Sequence, residues 1–287
     1  MGFTTRQIHA GVAPDPTSGS ILTPIYQSTT FVQPSVDEYL SKGFTYSRSG
    51  NPTVKALEAK LAALEGGIAC ACFGTGMGAT PAVMLAFLGK GSHAVISDVA
   101  YGVTYRLATK GMTRFGIEFT FANAANPDDI AAAVRDNTAM IFTETPANPT
   151  LKCADIAVIS EIAQQAGATH VVDNTLLTPY YQQALELGAD VSVHSTTKYM
   201  DGHNATVGGA AISKSQEHAD AIRFIQNSTG SIMSPQVAWL TLQGCKTMSI
   251  RMDRQCANAM AVARFLETHP KVEQVAYPVL ESHPQHD

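Results

Sequence analysis

Val191-Ser-Val-His-Ser-Thr-Thr-Lys198 is a short apolar strand that runs into hydroxyl residues and ends on a lysine. Upstream, Val171-Val-Asp-Asn-Thr175 repeats the plan with a carboxylate, Asp173, at the strand end. Strands of one sheet that finish at the same edge would present an amine and an acid to one crevice. Working outward, apolar runs and helical periodicities alternate along most of the chain. Strands are expected at 68–73, 93–97, 117–121, 139–143, 169–172, 190–194 and 206–212. Helices are expected at about 77–88, 102–114, 127–135, 155–166, 215–227 and 234–243. Such alternation predicts an α/β fold with a mostly parallel seven-stranded sheet and helices on both faces. The step from 190–194 to 206–212 has no helical pattern, so one strand is expected to be antiparallel.

Residues 1–50 are rich in Gly, Pro, Ser and Thr and are expected to form an extended arm that packs on something else. A helix follows. Asn51 suits the N-cap, Pro52 the first turn, and Val54, Leu57, Leu61 and Leu64 form its apolar stripe before Gly66-Gly67. Residues 51–245 read as the main domain. From 246 a helical pattern runs to about 267. A short strand pattern at 272–276 then reads as the opening of a C-terminal domain that is largely absent.

Composition narrows the function. The chain has 287 residues, 45% hydrophobic and 15% charged, which suits a core-forming protein of low surface charge. Its net charge of -5 carries no basic block, so no nucleic-acid partner is expected. No apolar stretch reaches the roughly 20 residues of a membrane span, and the N-terminus lacks the apolar core of a signal peptide. Cys70, Cys72, Cys153, Cys245 and Cys256 form no CxxC pair, and a reduced cytoplasmic setting is expected. The histidines are scattered and no metal site is expected.

Lys198 and Asp173 together suit pyridoxal phosphate (PLP). The lysine can form an imine with the aldehyde, and the carboxylate can keep the ring nitrogen protonated. Phe73-Gly-Thr-Gly-Met-Gly-Ala79, between a strand and a helix, offers backbone N–H groups to a phosphate. The same loop matches G-x-G-x-x-A, with Asp98 about 20 residues on as the acid of a dinucleotide site, so NAD competes locally. The long segment before the first strand and the Asp173–Lys198 pair weigh against NAD. Each residue also has a plain reading. Lys198 is a solvated surface lysine, Asp173 a turn residue, Tyr101 a half-buried aromatic and Asn148 a turn cap. Tyr46 and Arg48 end the arm, and a guanidinium beside a tyrosine hydroxyl suits phosphate.

Taken in order, Thr23-Pro-Ile-Tyr-Gln-Ser-Thr-Thr-Phe31, Tyr46-Ser-Arg-Ser-Gly-Asn-Pro-Thr53, Gly74-Thr-Gly-Met-Gly-Ala79, Glu144-Thr-Pro-Ala-Asn-Pro149, Val171-Val-Asp-Asn-Thr175 and His194-Ser-Thr-Thr-Lys-Tyr199 resemble the Cys/Met-metabolism PLP enzymes. That group includes cystathionine γ-lyase, methionine γ-lyase, cystathionine γ-synthase and the homoserine-ester sulfhydrylases. The resemblance covers nearly the whole chain. It implies a PLP fold-type I (aspartate aminotransferase-like) large domain. Lys198 resembles the cofactor-bearing lysine and proton shuttle, and Asp173 the partner of the pyridine nitrogen. Gly76, Met77, Ser195 and Thr197 resemble phosphate ligands. Tyr101 resembles the residue that stacks on the ring and serves acid–base steps, and Asn148 suits the phenolic oxygen. Tyr46 and Arg48 match the pair that reaches a neighbouring subunit's phosphate, which implies a homodimer or homotetramer.

The sequence departs from that pattern at several points. Val103 stands where methionine γ-lyases usually carry cysteine, Gln226-Asn227 where they tend to have Lys-Asp, and Leu176 where an aromatic is common. Family members run on beyond Asp287, and the arginine for the substrate carboxylate lies in that part. The reading favours carbon–sulfur elimination on cystathionine or a related thioether such as methionine. The alternatives are γ-replacement on an activated homoserine and a PLP-binding protein without turnover.

Overall fold

The computed structural model describes residues 1–37 and 43–286; part of the arm, residues 38–42, and Asp287 lie outside the described residues. Seven strands form one sheet: β1 Ala69–Phe73, β2 His93–Ser97, β3 Glu118–Ala122, β4 Thr138–Glu144, β5 Thr169–Asp173, β6 Val191–His194 and β7 Gly209–Ser213. Their order is β1-β7-β6-β5-β4-β2-β3. β2 runs parallel to β3 and β4, and β4 parallel to β5, whereas β7 is antiparallel to β1. β7, which follows the helix-free step, is thus a member of an antiparallel pair.

The described helices are α1 Phe3–His9, α2 Pro52–Glu65, α3 Gly76–Phe87, α4 Gly102–Arg106, α5 Pro127–Ala133, α6 Ile156–Ala166, α7 Thr178–Tyr181, α8 Gln216–Thr229, α9 Pro235–Cys245 and α10 Met248–Glu267. Contacts divide the chain into two compact units. One comprises residues 1–86 and 193–246, the other 87–192 and 247–287.

In the first unit, α2 begins where its cap predicts. The Asn51 side chain accepts the Thr53 N–H at 3.0 Å, and Gly66 closes the helix at φ 79°. Leu57, Leu61 and Leu64 on its stripe are fully buried, each stabilising by about 1.5–3 kcal/mol. β1 stands at the edge of the sheet, and side chains finish its open backbone. Glu58 accepts the Cys72 N–H at 3.0 Å, Arg223 donates to the Cys70 carbonyl at 2.7 Å, and Gln226 donates to the Cys72 carbonyl at 2.5 Å. Arg223 also pairs with Glu58 at 2.8 Å. An edge strand treated this way offers few groups to a stray strand.

In the second unit, Val95, Ile130, Ile141, Ile159 and Ala163 pack into one core cluster. α6 supplies its buried face through Ile156, Ile159 and Ala163, started by Asp155 accepting the Val158 N–H and stopped by Gly167 at φ 64°. Every residue of β2 is buried, as expected for a strand covered on both faces.

Four local expectations need correction. The arm is not wholly extended, because Phe3–His9 forms α1. It is held on α2 by Lys60, whose buried amine donates to the Gln7 and Ile8 carbonyls at 2.7 and 3.1 Å. The helix expected at 102–114 breaks into α4, a π-helical turn over Leu107–Gly111 and a 3₁₀ turn over Met112–Phe115. There Thr109 and Thr113 bond back to the carbonyls four residues earlier, which loosens the α ladder. α7 was not anticipated; at four residues it is too short to show a period. The expected strand at 272–276 is not formed, for among the described residues no strand lies beside it to complete its ladder.

Candidate active site

In the first unit the loop after β1 meets the turn after β6. β1 ends at Phe73, and the chain turns through Gly74 and Thr75 into α3, whose first N–H groups lack partners within the helix. Gly76 is pressed against Ser195: a Cβ on Gly76 would lie 3.0 Å from the Ser195 Cβ and 3.1 Å from its Oγ. Gly209 is pressed closer still, since its Cβ would meet the Thr75 carbonyl oxygen. At Gly209 only glycine fits, and at Gly76 a larger residue would have to push Ser195 aside by a few tenths of an ångström. Beyond β6, the Thr197 hydroxyl accepts the Gly208 N–H at 3.0 Å and donates to the Gly208 carbonyl at 3.2 Å. Lys198 lies on the following turn. Its N–H donates to the Ser195 carbonyl at 3.2 Å, its own carbonyl accepts the Gly202 N–H at 2.8 Å, and the residue is exposed.

Tyr46 and Arg48 belong to the same unit. The Tyr46 carbonyl accepts the Ser49 and Gly50 N–H groups in a turn, and the Arg48 guanidinium lies 5.3 Å from the Tyr46 ring centre. Arg48 Nε and Ser49 Oγ both donate to Asn227 Oδ1, at 3.3 and 3.2 Å. Gln226-Asn227, noted in the sequence only as a departure, thus has two jobs: one residue closes the edge of β1 and the other steadies the Arg48 turn.

The second unit holds Tyr101, Asn148 and Asp173. Asp173 ends β5 half-buried, and its Oδ1 accepts the Thr175 N–H at 3.1 Å, so it also makes the turn that its plain reading expected. The side chains of Tyr101 and Asn148 stand on exposed residues, but their backbones share one buried partner. Glu144 Oε2 accepts the Tyr101 N–H at 2.7 Å, and Glu144 Oε1 accepts the Asn148 N–H at 2.9 Å. Burial, then the Asp173 charge, pushes the Glu144 carboxyl up to about 7, against the pull of the two N–H groups. Glu144 was quoted in the sequence within Glu144-Thr-Pro-Ala-Asn-Pro149 but given no role. The signal that could have found it is a strand-end acid aligned with Asp173. His170, deeper in β5, bonds to Thr143 and Ser160 at 3.0 and 2.8 Å, and burial pulls it down to about 3, so it is neutral. Asp98, the acid of the dinucleotide alternative, instead pairs with Lys152 at 2.8 Å.

No group of three or more His, Cys, Asp or Glu side chains is arranged for a metal ion among the described residues. No described helix is long and apolar enough to cross a membrane.

The mostly parallel α/β sheet, with its glycine turn before α3 and a lysine on the turn after β6, has the architecture of the PLP-dependent fold-type I class. The chain belongs to the Cys/Met metabolism PLP-dependent enzyme family, whose model matches residues 4–287. The chain is 47% identical over 286 residues to a protein named cystathionine gamma-synthase from Mycobacterium tuberculosis, covering 100% of this chain and 74% of that one. It is 44% identical over 287 residues to a cystathionine gamma-lyase from Bacillus subtilis, covering 100% and 75%. The solved structure of metB from Corynebacterium glutamicum matches with a TM-score of 0.97 at 45% identity, over 100% of this chain and 74% of that one. The cofactor is therefore PLP, and the dinucleotide alternative falls.

The residues present fit PLP. The close approach of Gly76 to Ser195 brings the start of α3 and a hydroxyl residue to one place, residue types that suit a phosphate. An amine and a carboxylate stand at strand ends, Lys198 beyond β6 and Asp173 on β5.

Proposed function

We propose that this protein is a carbon–sulfur lyase of sulfur amino-acid metabolism that eliminates the γ substituent of cystathionine or a related thioether such as methionine. The observation that supports it most is the close approach of Gly76 to Ser195, on the turn that carries Lys198, in a chain of a PLP-dependent family. When bound, PLP supplies an aldehyde that captures an amine and a ring that spreads negative charge from the α carbon. Gly76, Met77, Ser195 and Thr197 bind the phosphate through N–H and O–H donors. Asp173 holds the proton on the pyridine nitrogen. Tyr101 would cover the ring and give a proton to the leaving sulfur, and Asn148 would donate to the phenolic oxygen. Lys198 would hold the cofactor and, with the substrate amine in its place, would serve as the base for the α proton and then for a β proton. Those two protons would return to the sulfur, through Tyr101, as the C–S bond at the γ carbon breaks, and to the γ carbon itself. Water then completes the products: thiol, α-keto acid and ammonia.

Tyr46 and Arg48 act in a neighbouring subunit's site, so the working form is a homodimer or a homotetramer in the cytoplasm. Residues 1–50 form the arm that reaches that subunit, 51–245 the cofactor-binding domain, and 246–287 the link toward a C-terminal domain.

A second reading, γ-replacement on an activated homoserine, is favoured by the 47% identity to a protein named cystathionine gamma-synthase. Product analysis separates the two. With PLP and cystathionine, the lyase releases cysteine, 2-oxobutanoate and ammonia. With O-acetyl- or O-succinylhomoserine and cysteine, the replacement enzyme forms cystathionine without ammonia. Release of no keto acid from cystathionine or methionine overturns the lyase reading.

A further inference from the structure

Glu144 touches both ring-side residues of the second unit through their backbones. Its two oxygens accept the Tyr101 N–H at 2.7 Å and the Asn148 N–H at 2.9 Å. Tyr101 begins α4, and its carbonyl accepts the Thr104 and Tyr105 N–H groups, so the first turn of α4 hangs from the residue that Glu144 holds. On the other side, Asn148 lies in a loop closed by the Ala147 N–H on the Lys152 carbonyl at 2.8 Å and by the Leu151 N–H on the Ala147 carbonyl at 2.7 Å. Glu144 is 9% exposed and is the register partner of Asp173. One carboxylate thus ties together the α4 start, the 145–152 loop and the strand end that carries Asp173.

The geometry suits a carboxyl side chain at this place, with one oxygen for each N–H. Two converging N–H donors need two acceptor oxygens, and a glutamine offers one, with its amide N–H groups facing the second donor. Setting a charge beside Asp173 in a buried position is unfavourable, and the two charge-assisted hydrogen bonds offset that cost. An arrangement that holds two acids together is poor for stability alone. It does set three groups of the reaction in one frame.

We propose that Glu144 is a positioning residue of the reaction, holding Tyr101 and Asn148 in fixed register with Asp173. The inference rests on the roles given to those three residues above. Glu144 itself reaches no reacting atom; it acts through the backbone of the residues that do.

The test compares wild type with Glu144→Gln, both loaded with PLP. In the variant, backbone amide exchange at Tyr101 or Asn148 accelerates about tenfold or more, the scale of losing one hydrogen bond to a charged acceptor. The visible circular dichroism of bound PLP weakens. The kcat falls by a similar factor while KM stays within about threefold, because orientation and not binding is lost. Unchanged exchange and unchanged dichroism in the variant overturn the proposal. Should Glu144→Gln not fold, wild type decides: both amides exchange slowly although their residues are exposed, and fast exchange at either overturns the proposal. Lys198→Ala separates this from failure of the cofactor reading. If that variant keeps the visible band of the wild type, the roles of the site residues are wrong. If it loses the band and Glu144→Gln behaves as wild type, only the Glu144 inference fails.

Discussion

Glu144 and Asp173 are register partners at the ends of the adjacent parallel strands β4 and β5, so their carboxylates leave the same side of the sheet. Burial and the Asp173 charge raise Glu144 from an ordinary 4.5 to about 7. Between those values the folded state holds a proton that the unfolded state has released. The stabilising contribution is therefore complete below about pH 4.5 and is lost as pH rises through about 7. Urea unfolding of wild type and Glu144→Gln at pH 5 and pH 8 checks this: wild type loses stability relative to the variant as pH rises. Asp173→Asn removes the charge that raises Glu144, so the window moves to lower pH.

Lys198→Ala is expected to abolish the visible absorbance that appears when PLP is added to wild type, and with it the band's sensitivity to borohydride. The exposed side chain has no packing role, so the unfolding midpoint without PLP stays within about 0.5 kcal/mol of wild type. Absorbance spectra and a denaturant titration measure both.

Lys60→Met leaves the Gln7 and Ile8 carbonyls without their buried donor. Burial pulls this amine down to about 8, so stability in wild type rises as pH goes from about 8 toward its ordinary 10.5. In the variant that rise disappears, and the N-terminal segment is cut faster by a nonspecific protease at neutral pH. Lost carbonyl partners cost about 1–3 kcal/mol locally, partly offset because no amine need be desolvated.

Gly244→Ala places a methyl 2.2 Å from the Asp201 carbonyl oxygen, a backbone atom that cannot swing away. A loss of about 1–3 kcal/mol or more is expected in thermal or urea unfolding. Gly89→Ala meets nothing within 4 Å and serves as the control, neutral or slightly stabilising.

The elements that announced themselves in the sequence are those whose signals are local. Asn51-Pro52 started α2 and Gly66 stopped it; the buried runs around Ile96, Phe142 and Val171 became β2, β4 and β5. Gly76, Ser195 and Lys198 stood out in the sequence because a phosphate site calls for glycine and hydroxyl residues at fixed offsets from strand ends, and the structure brings Gly76 against Ser195. What escaped depends on contacts between distant residues. α1 has only seven residues and is held by an amine 53 positions from Gln7. α7 is shorter still, and the π turn after α4 depends on how Thr109 and Thr113 spend their hydroxyls.

The sequence by itself determined the α/β class of fold from its periodicity and caps, and its ordered motifs, through their resemblance to a family, pointed to the cofactor. Only the tertiary structure decided that Glu144 would take the backbones of Tyr101 and Asn148, that Glu58, Arg223 and Gln226 would close the edge of β1, and that Lys60 would hold α1. The reason is physical. A buried polar group must find its partner wherever packing sets one, and spacing along the chain does not record which partner that will be.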